Sequence, residues 1–359
     1  MAEIVLGLGT SHTPMLSIPA DMWATYAQGD QRIPELAYPP SGQVRSYEAG
    51  LAQLAPEIKA RFQGDAPFAD QARRCQQALD TLAQTLQDTD PDFTIIISDD
   101  QDEWFYEHNM PKFAIYWGES VPIRPRRGGP PGRDPEMSRL IGEGYGNVEM
   151  DVAVPAQFGR FLIEYLNEHD FDITHLNHLR QPYGGRVARR YPTPDGELNQ
   201  VRETPDHEQG LPHGFAFIVK RLFDNKPSPI LPVFQNTCYP PNQPSPKRSF
   251  QLGQAIGEAV KAWPDAARVA VVASGGLSHF VVDEDLDRKL IKALEDKDAA
   301  TLQSLPRERL FSATSESLNW VAVGGAMHDT KLQADVVDYV PVYRTPAGTG
   351  GGWTFIRWR

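Results

Sequence analysis

Short runs of consecutive apolar residues are the feature of this sequence that most constrains its fold. Strands that are covered on both faces carry apolar side chains at consecutive positions, whereas half-exposed strands alternate. Stretches with apolar residues at helical spacing lie between these runs. Because strands that alternate with helices form a sheet with helices on its faces, we predict an α/β fold, a three-layer α/β/α sandwich with a central mixed sheet. The predicted strands are residues 4–8, 93–97, 113–116, 230–234 and 269–273, and the predicted helices are residues 69–86, 157–166, 250–263, 285–294 and 316–327.

The length of the chain and two irregular stretches indicate its domain organisation. A chain of 359 residues can form two domains or one large elaborated domain. Residues 20–67 are polar and contain prolines, and residues 181–210 hold several glycine and proline turns. Long loops in compact domains are usually functional or disordered. We predict a single domain over residues 1–359 with insertions at about 20–67 and 181–210. The second insertion either borders the active site or is a solvated excursion.

The composition excludes several classes of function. The chain carries 35 Lys and Arg against 47 Asp and Glu, a net charge of -12, and so acidic a surface repels the phosphate backbone of nucleic acids. Cys75 and Cys238 are the only cysteines, too few for a disulfide framework or a thiolate metal cage. No apolar run approaches the ~20 residues that span a bilayer, and the first residues lack the basic region of a signal peptide. We therefore expect a cytoplasmic protein that binds neither nucleic acid nor membrane.

Two histidines follow predicted strands directly. His12 lies in GTSHTP at residues 9–14, and His279 ends SGGLSH at residues 274–279. In open α/β sheets, ligands bind outside the carboxyl ends of the strands, where an imidazole is placed for metal ligation or proton transfer. A histidine that only caps a loop is the alternative for either residue alone, but their shared position favours a common site.

Further polar residues point to the same edge of the predicted sheet. The sequence DDQDE at residues 99–103 follows the second strand, and its carboxylates repel one another unless a cation or hydrogen-bond donors neutralise them. A divalent cation or a solvated acidic turn would satisfy this run. His213 ends the second insertion and enters a helix. Glu316 lies near the start of an apolar helix, where it either favours the helix N-terminus electrostatically or ligates a metal.

Other site chemistries lack their motifs in this sequence. There is no third glycine of a dinucleotide-binding fingerprint after the first strand, and no phosphate-binding Gly-Lys-Ser/Thr loop. A zinc-protease HExxH motif and a hydrolase GxSxG elbow are also absent. Ser278 and His279 are adjacent and therefore point apart, which is poor geometry for a serine–histidine pair.

Blocks of sequence in a fixed order resemble the class III extradiol ring-cleavage dioxygenases of the protocatechuate 4,5-dioxygenase beta-subunit (LigB-like) type. The resemblance is greatest to the single-chain branch that includes 3-O-methylgallate dioxygenase-like proteins, and it covers most of the chain apart from the two insertions. The blocks are GTSHTP at 9–14, DDQ at 99–101 through PKFAI at 111–115, PHG at 212–214, YPP at 239–241 through SGGLSH at 274–279, and ESLNW at 316–320.

The resemblance implies a non-haem Fe(II) enzyme that opens a catechol-type ring beside its hydroxyls with O2. In this family two histidines and one glutamate hold the iron and leave open positions for substrate and O2, as expected of iron oxygenases. His12 matches the first of these histidines and Glu316 matches the glutamate. His279 matches the catalytic acid and base, and His213 matches a further active-site histidine near substrate and O2.

One position departs from the pattern of the better-known family members. Their second iron-binding histidine falls on Gln101, whose carbonyl oxygen can ligate iron, while Asp102 could supply a carboxylate instead. The predicted metal ligands are therefore His12, Gln101 and Glu316, with Asp99 and Asp100 orienting the imidazoles from behind. The alternatives are a catalytically silent homologue that binds an aromatic ligand or a partner subunit, and a zinc- or manganese-dependent hydrolase that uses the same site.

The resemblance leaves the substrate open among protocatechuate-like acids, gallates, O-methylgallates and heterocyclic diols. Basic residues could recognise a substrate carboxylate, although such clusters are usually solvated. We expect a small aromatic substrate and O2 as the partners of the chain, and a homodimer as its oligomeric state. The basic residues in question are Arg124, Arg126, Arg127, Arg186, Arg189 and Arg190.

Overall fold

The computed structural model describes residues 1–101, 103–105, 109–125, 134–178, 186–189, 200–203 and 210–359. Its strands are β1 (Glu3–Thr10), β2 (Leu36–Tyr38), β3 (Gln43–Arg45), β4 (Phe93–Asp99), β5 (Phe113–Tyr116), β6 (Ser120–Ile123), β7 (Met150–Ala153), β8 (Thr174–Leu176), β9 (Arg186–Arg189), β10 (Gln200–Glu203), β11 (Ile230–Gln235), β12 (Arg268–Ser274), β13 (Ala334–Tyr343) and β14 (Gly350–Trp358). Its α-helices are α1 (Trp23–Ala27), α2 (Tyr47–Gln53), α3 (Pro56–Lys59), α4 (Phe68–Thr89), α5 (Pro135–Gly144), α6 (Ala156–Glu168), α7 (His213–Arg221), α8 (Pro246–Ala262), α9 (Glu284–Glu295), α10 (Ala299–Gln303) and α11 (Ser317–His328). Short 3-10 helices cover Pro14–Ser17, Ala20–Met22, Gln28–Arg32, Arg307–Arg309 and Ser312–Glu316.

A mixed sheet forms the centre of the protein, which confirms the predicted fold class. Within the described ranges, the strand order in this 8-stranded sheet is β13-β14-β1-β12-β4-β11-β5-β8. The neighbours β1, β12, β4 and β11 are parallel, whereas β14 and β5 pair antiparallel with them. The carboxyl ends of the parallel strands therefore lie at one edge of the sheet. Each of the predicted strands is present at its predicted position.

Helices cover both faces of this sheet. On one face, the Ser274 hydroxyl of β12 donates to the Gly214 carbonyl of α7. On the other face, the Asn319 amide of α11 donates to Asp99 of β4. The register places Ser274 beside the residue before Asp99, and successive strand residues point to opposite faces. Helix α4 contacts α7 on the first face through Arg221, and α8 packs against α11 on the second.

Helix α11 is buried on all sides, and it lies very close to β1. A Cβ atom on Gly9 would lie 2.2 Å from the Trp320 ring, so only glycine allows this approach. The Trp320 indole N–H donates to the Gly275 carbonyl in the loop after β12 at 2.5 Å. The start of α11 is thereby held at the carboxyl edge of the parallel strands.

The first predicted insertion, residues 20–67, folds into α1–α3 and the β2–β3 hairpin. Leu36 and Tyr38 from this segment form a small buried cluster with Val281 and Ala347. The segment therefore packs beside the loop that carries His279. In the second insertion, β9 and β10 pair antiparallel, and residues 181–185, 190–199 and 204–209 lie outside the described residues. Its position at the active site stays a prediction.

The hairpin of β13 and β14 is absent from the sequence-based prediction. It forms one side of the sheet, where β14 pairs with β1. Its backbone also pairs with the loop after β12, since the amide of Gly352 donates to the Ser278 carbonyl and that of Gly350 to the Phe280 carbonyl. Among the helices that the structure describes, none is long and apolar enough to cross a membrane.

Candidate metal centre and its histidines

Three buried side chains from different parts of the chain meet at the carboxyl edge of the sheet. His12 follows β1, Asp99 ends β4, and Glu316 ends the 3-10 turn before α11. Each offers a ligand atom, and these atoms lie within 4.8 Å of one another. The structure thus brings together His12 and Glu316, two of the predicted ligands, and adds Asp99, to which the sequence analysis gave only an orienting role.

The hydrogen bonds around His12 determine which ring nitrogen carries its proton. The Ser274 hydroxyl donates to the Gly214 carbonyl at 2.7 Å, so it can only accept from His12 Nδ1, which lies 3.0 Å away. Burial lowers the pKa of His12 to about 3, against the opposing effect of the Glu316 carboxylate. The ring is therefore neutral, and its Nε2 lone pair lies 3.7 Å from Glu316 Oε2.

Glu316 is an ionised carboxylate in a buried position. Burial alone would raise the pKa of Glu316, but the His279 ring and the backbone N–H of Gly276 help to outweigh burial and lower the pKa to about 2. One oxygen, Oε2, accepts the backbone N–H of Gly276 at 2.7 Å. The other, Oε1, lies 3.3 Å from His279 Nε2. Glu316 thus links the metal-ligand candidates to the predicted catalytic histidine.

His279 is held by its own loop, with its Nε2 atom toward Glu316. Nδ1 donates to the Leu277 carbonyl at 3.0 Å, and the Thr314 hydroxyl bonds the backbone of His279 at both its N–H and its carbonyl. Burial alone would lower the pKa of His279, but the Glu316 carboxylate outweighs burial and raises the pKa above its ordinary value. Glu316 thus favours the protonated form of His279 in the metal-free protein.

Gln101 lies between the two buried carboxylates. Its Nε2 donates to Glu316 Oε1 at 2.9 Å and to Asp99 Oδ2 at 3.1 Å. In this rotamer the amide nitrogen of Gln101 faces the cluster. A metal ligand at this position would instead use the carbonyl oxygen of the same side chain. A half-turn of the amide group exchanges the two atoms, so Gln101 is within reach of the site in either role.

The aspartates of the acidic run at residues 99–103 have different surroundings. Burial, followed by repulsion from Glu316, raises the pKa of Asp99 to about 7. Asp100 was predicted to orient an imidazole, but it contacts none among the described residues. Its carboxylate instead accepts the backbone N–H groups of Glu103, Trp104 and Phe105 and holds the turn after β4. The predicted alternative ligand Asp102 lies outside the described residues.

His213 begins α7 and lies beside His12. The two rings meet edge to face with their centroids 4.8 Å apart, and the ring of Tyr145 is 5.1 Å from His213. The Tyr145 hydroxyl donates to the His12 carbonyl at 2.5 Å. His213 Nδ1 contacts the Glu103 carboxylate at 2.5 Å. No feature of the sequence pairs Glu103 with His213, which lies 110 positions away.

The cluster of His12, Asp99 and Glu316 fits a divalent cation. A neutral imidazole lone pair faces an ionised carboxylate, and such a contact is repulsive unless a cation lies between the two groups. Across the ranges that the structure describes, no Lys or Arg forms an ion pair with Asp99 or Glu316. One nitrogen and several oxygen donors suit hard and borderline divalent metals such as Fe(II) and Mn(II).

The predicted arginine sites do not join this cluster in the described chain. Arg124 contacts Asp151 and Glu149 at the surface and the carbonyl of Met150. Residues Arg126, Arg127 and Arg190, and the side chains of Arg186 and Arg189, lie outside the described residues. Recognition of a substrate carboxylate by them stays a prediction.

Comparison with known proteins identifies the class to which the fold and the buried cluster belong. The family model for the catalytic LigB subunit of aromatic ring-opening dioxygenase matches residues 69–350. The chain belongs to this family. The matched range includes Asp99, Gln101, His213, His279 and Glu316, while His12 precedes it and is placed by the geometry alone.

Individual relatives are more distant. Gallate dioxygenase from Pseudomonas putida is 34% identical over 80 residues, which cover 21% of this chain and 23% of that protein. The match thus spans less than a quarter of the length of this curated relative. Among solved structures, uncharacterized protein JW3007 from Escherichia coli K12 is 13% identical, with a TM-score of 0.41 over 79% of this chain and 91% of that one.

Proposed function

We propose that this protein is an Fe(II)-dependent extradiol dioxygenase that opens the ring of a catechol-type aromatic compound with O2. Protocatechuate, gallate and O-methylgallate represent the substrate class. One observation carries the proposal: a neutral histidine and buried carboxylates converge within 4.8 Å, with His279 3.3 Å from one of them. Membership of the aromatic ring-opening dioxygenase family supports this chemistry.

His12 Nε2 and the Glu316 carboxylate would hold the cation, and Asp99 or the turned amide of Gln101 would complete the set. A bound Fe(II) would allow electron transfer between a catecholate and O2, and it would stabilise the negative charge of the catecholate. The remaining positions of such a site would be open to the two substrates. Ser274 would keep the proton of His12 on Nδ1, so that Nε2 stays a ligand atom.

His279 would act on the substrate hydroxyl. Its Nδ1 is committed to the Leu277 carbonyl, so Nε2 is the atom that can take a proton from a catechol hydroxyl and return it later in the cycle. A bound cation would compete with His279 Nε2 for the Glu316 carboxylate, and it would therefore displace the contact between His279 and Glu316. His213, beside His12, would face the other end of the reacting group.

Metal loading followed by an oxygen-uptake assay tests this proposal. The protein is reconstituted anaerobically with Fe(II), Mn(II) or Zn(II), and then exposed to O2 with a panel of catechols that includes gallate and protocatechuate. Iron binding with O2 consumption and a ring-opened product is the expected result. Zinc-dependent hydrolysis without O2 uptake, or binding of a catechol with no turnover under any metal, would each overturn the proposal.

The substitution His279→Ala separates proton transfer from metal binding. We expect the variant to retain Fe(II) and to lose roughly 10²-fold or more in turnover. His169→Ala, which removes an exposed histidine from the end of α6, is the matched control and should turn over as the natural protein does. Wild-type turnover in His279→Ala would refute the assignment.

The single catalytic domain over residues 1–359, the homodimer and the cytoplasmic location are part of the same proposal. Light scattering on the purified protein measures the mass in solution. A monomer with full activity would contradict the homodimer but would leave the proposed reaction unaffected.

A further inference from the structure

We infer that Glu103 is a positioning residue, which fixes the orientation and the tautomer of His213 beside the metal centre. The inference rests on the proposed function, because it gives the acidic run after β4 a task within that same site. Glu103 would not contact substrate or metal itself. It would act only through the ring of His213.

One carboxylate holds His213 at two places. Glu103 Oε1 lies 2.5 Å from His213 Nδ1, and Oε2 accepts the backbone N–H of His213 at 3.0 Å. As a carboxylate Glu103 accepts and does not donate hydrogen bonds, which would place the ring proton of His213 on Nδ1. Both side chains are largely buried, with 16% of His213 and 13% of Glu103 exposed. Ring and backbone are thereby fixed together, and a rotation of the ring would break the shorter contact.

Glu103 is itself held in place before it meets His213. Its backbone N–H donates to the Asp100 carboxylate at 3.0 Å. The next residue, Trp104, donates its indole N–H to the Gly210 carbonyl at 3.1 Å and packs its ring on Phe234. These contacts tie the turn after β4 to the segment that leads into α7. Groups that are oriented in advance lose little entropy when they act, which is how a precise site is built.

The ring of His213 stands at the metal centre. Its centroid lies 4.8 Å from that of His12, and the residue after it, Gly214, accepts from the Ser274 hydroxyl that also orients His12. The placement of one histidine is thus coupled to that of the other. With its proton on Nδ1, a neutral His213 ring has its lone pair on Nε2, and the opposite tautomer would exchange donor and acceptor at that atom.

A carboxylate at the start of a helix also has a purely structural explanation. It complements the positive end of the helix dipole and satisfies a backbone N–H, whatever the side chain of the first residue. The two explanations differ in one respect. A helix cap works equally well when His213 is replaced, whereas a positioning residue has nothing left to position.

A double-mutant cycle on the Fe(II)-loaded enzyme uses this difference. We expect Glu103→Gln to lower kcat by roughly 10–100-fold with KM little changed, and to have no further effect in a His213→Ala background. Glu103→Asp, which keeps the charge, should recover part of the loss. Equal losses from Glu103→Gln in both backgrounds would overturn the inference. Glu164→Gln, in an exposed pair with Arg160, is the matched control and should leave kcat unchanged.

A second measurement needs no turnover. Long-range ¹H–¹⁵N spectra of the full chain with labelled histidine, metal-free and Zn(II)-loaded, report which ring nitrogen of His213 is protonated, and His213→Ala assigns the signal. We expect a proton on Nδ1 in the natural protein and its partial loss from Nδ1 in Glu103→Gln. An unchanged signal would overturn the inference. If no catechol is consumed, the proposed function fails while this spectroscopic result still stands by itself.

Discussion

Two buried aspartates in this protein have opposite surroundings. Asp30, which is 3% exposed, receives Nε and a terminal nitrogen of Arg344 at 3.0 Å each, together with the Thr349 hydroxyl at 2.6 Å. Asp99 is fully buried, and among the described side chains it accepts hydrogen bonds from the amides of Gln101 and Asn319 and from the thiol of Cys238. The negative charge of Asp30 has a cation from its own chain. That of Asp99 has none among the described residues.

The difference distinguishes a structural carboxylate from one that is placed for a ligand. Burial of an uncompensated charge is costly, and a buried acid without a cation holds its proton instead. The pKa of Asp99 accordingly rises to about 7, with burial and Glu316 as the causes. A buried acid that has hydrogen-bond donors but no cationic partner among the described residues is a candidate for function. Two kinds of experiment test this contrast: replacing Arg344, the cation that pairs with Asp30, and supplying a metal cation to Asp99.

The largest effect is expected from Arg344→Met. The substitution leaves Asp30 buried without its bidentate partner, and breaking a buried pair in this way costs about 3–5 kcal/mol of stability. Urea unfolding followed by circular dichroism measures the loss. Arg344→Met combined with Asp30→Asn should regain much of it, because no unpaired charge remains. A single variant as stable as the natural protein would show that Asp30 is no better compensated than Asp99.

Metal binding should depend on pH through Asp99. Below pH 7 this acid is protonated in the metal-free protein, so a cation must displace its proton and binds more weakly as the pH falls. Displacement of one proton changes the apparent Kd about tenfold per pH unit, or roughly 100-fold between pH 7 and pH 5. The pKa of His12 is about 3, so that ring does not titrate in this range.

Calorimetric titration with Mn(II) between pH 5 and pH 8 measures this dependence. In Asp99→Asn we expect weaker binding at pH 8 and the loss of the part of the slope that Asp99 contributes. The same slope in both proteins would mean that the cation does not meet Asp99.

Gln101 should contribute to metal affinity in one of two ways. Gln101→Ala removes the amide that bonds both carboxylates, and we expect metal affinity to fall roughly 10–100-fold. Gln101→His distinguishes the roles. If the position supplies a ligand, an imidazole there restores or strengthens Fe(II) and Zn(II) binding. If it supplies only a hydrogen-bond donor, the histidine variant binds no better than the alanine variant.

The smallest effect is expected from Ser274→Ala. Its hydroxyl fixes the proton of His12 on Nδ1, and loss of such a partner should weaken metal binding about tenfold while folding is retained. Ser304→Ala, on the exposed end of α10, is the control. Unaltered affinity in Ser274→Ala would show that the Nε2 lone pair of His12 needs no support.

The strands could be predicted from the sequence because consecutive apolar residues are a local signal. Their polar ends could not. The predicted strand 93–97 extends in the structure to Asp99, and 269–273 extends to Ser274. These added residues continue the backbone ladder although they interrupt the apolar run. They are also the residues that face the candidate site.

The hairpin of β13 and β14 was missed for a related reason. It contains Pro341 and begins its second strand with consecutive glycines, residues that are depleted in strands. Tertiary packing requires one of them, since a Cβ on Gly352 would lie 1.8 Å from the Asp287 carboxylate. A propensity that is summed along the sequence cannot include such a contact.

The position of His12 could be predicted because residues at the carboxyl ends of parallel strands share one edge of a sheet, whereas that of Glu316 was implied only by the family resemblance. The partners of the histidines could not. Glu103 and His213 are 110 positions apart, and His12 and Ser274 are 262 apart. Several neighbouring polar residues could face the cluster. Strand register and side-chain rotamers determine which of them does, and neither can be read from a single sequence.

The pairing of β14 with the loop after β12 has a consequence for how this protein can be handled. Backbone amides of Gly350 and Gly352 support the carbonyl groups on either side of His279. A truncation before residue 350 would remove β14 and would delete none of the candidate site residues. It would nevertheless remove the backbone support of the loop that carries His279, so the geometry of the candidate site depends on a strand that lends it no side chain.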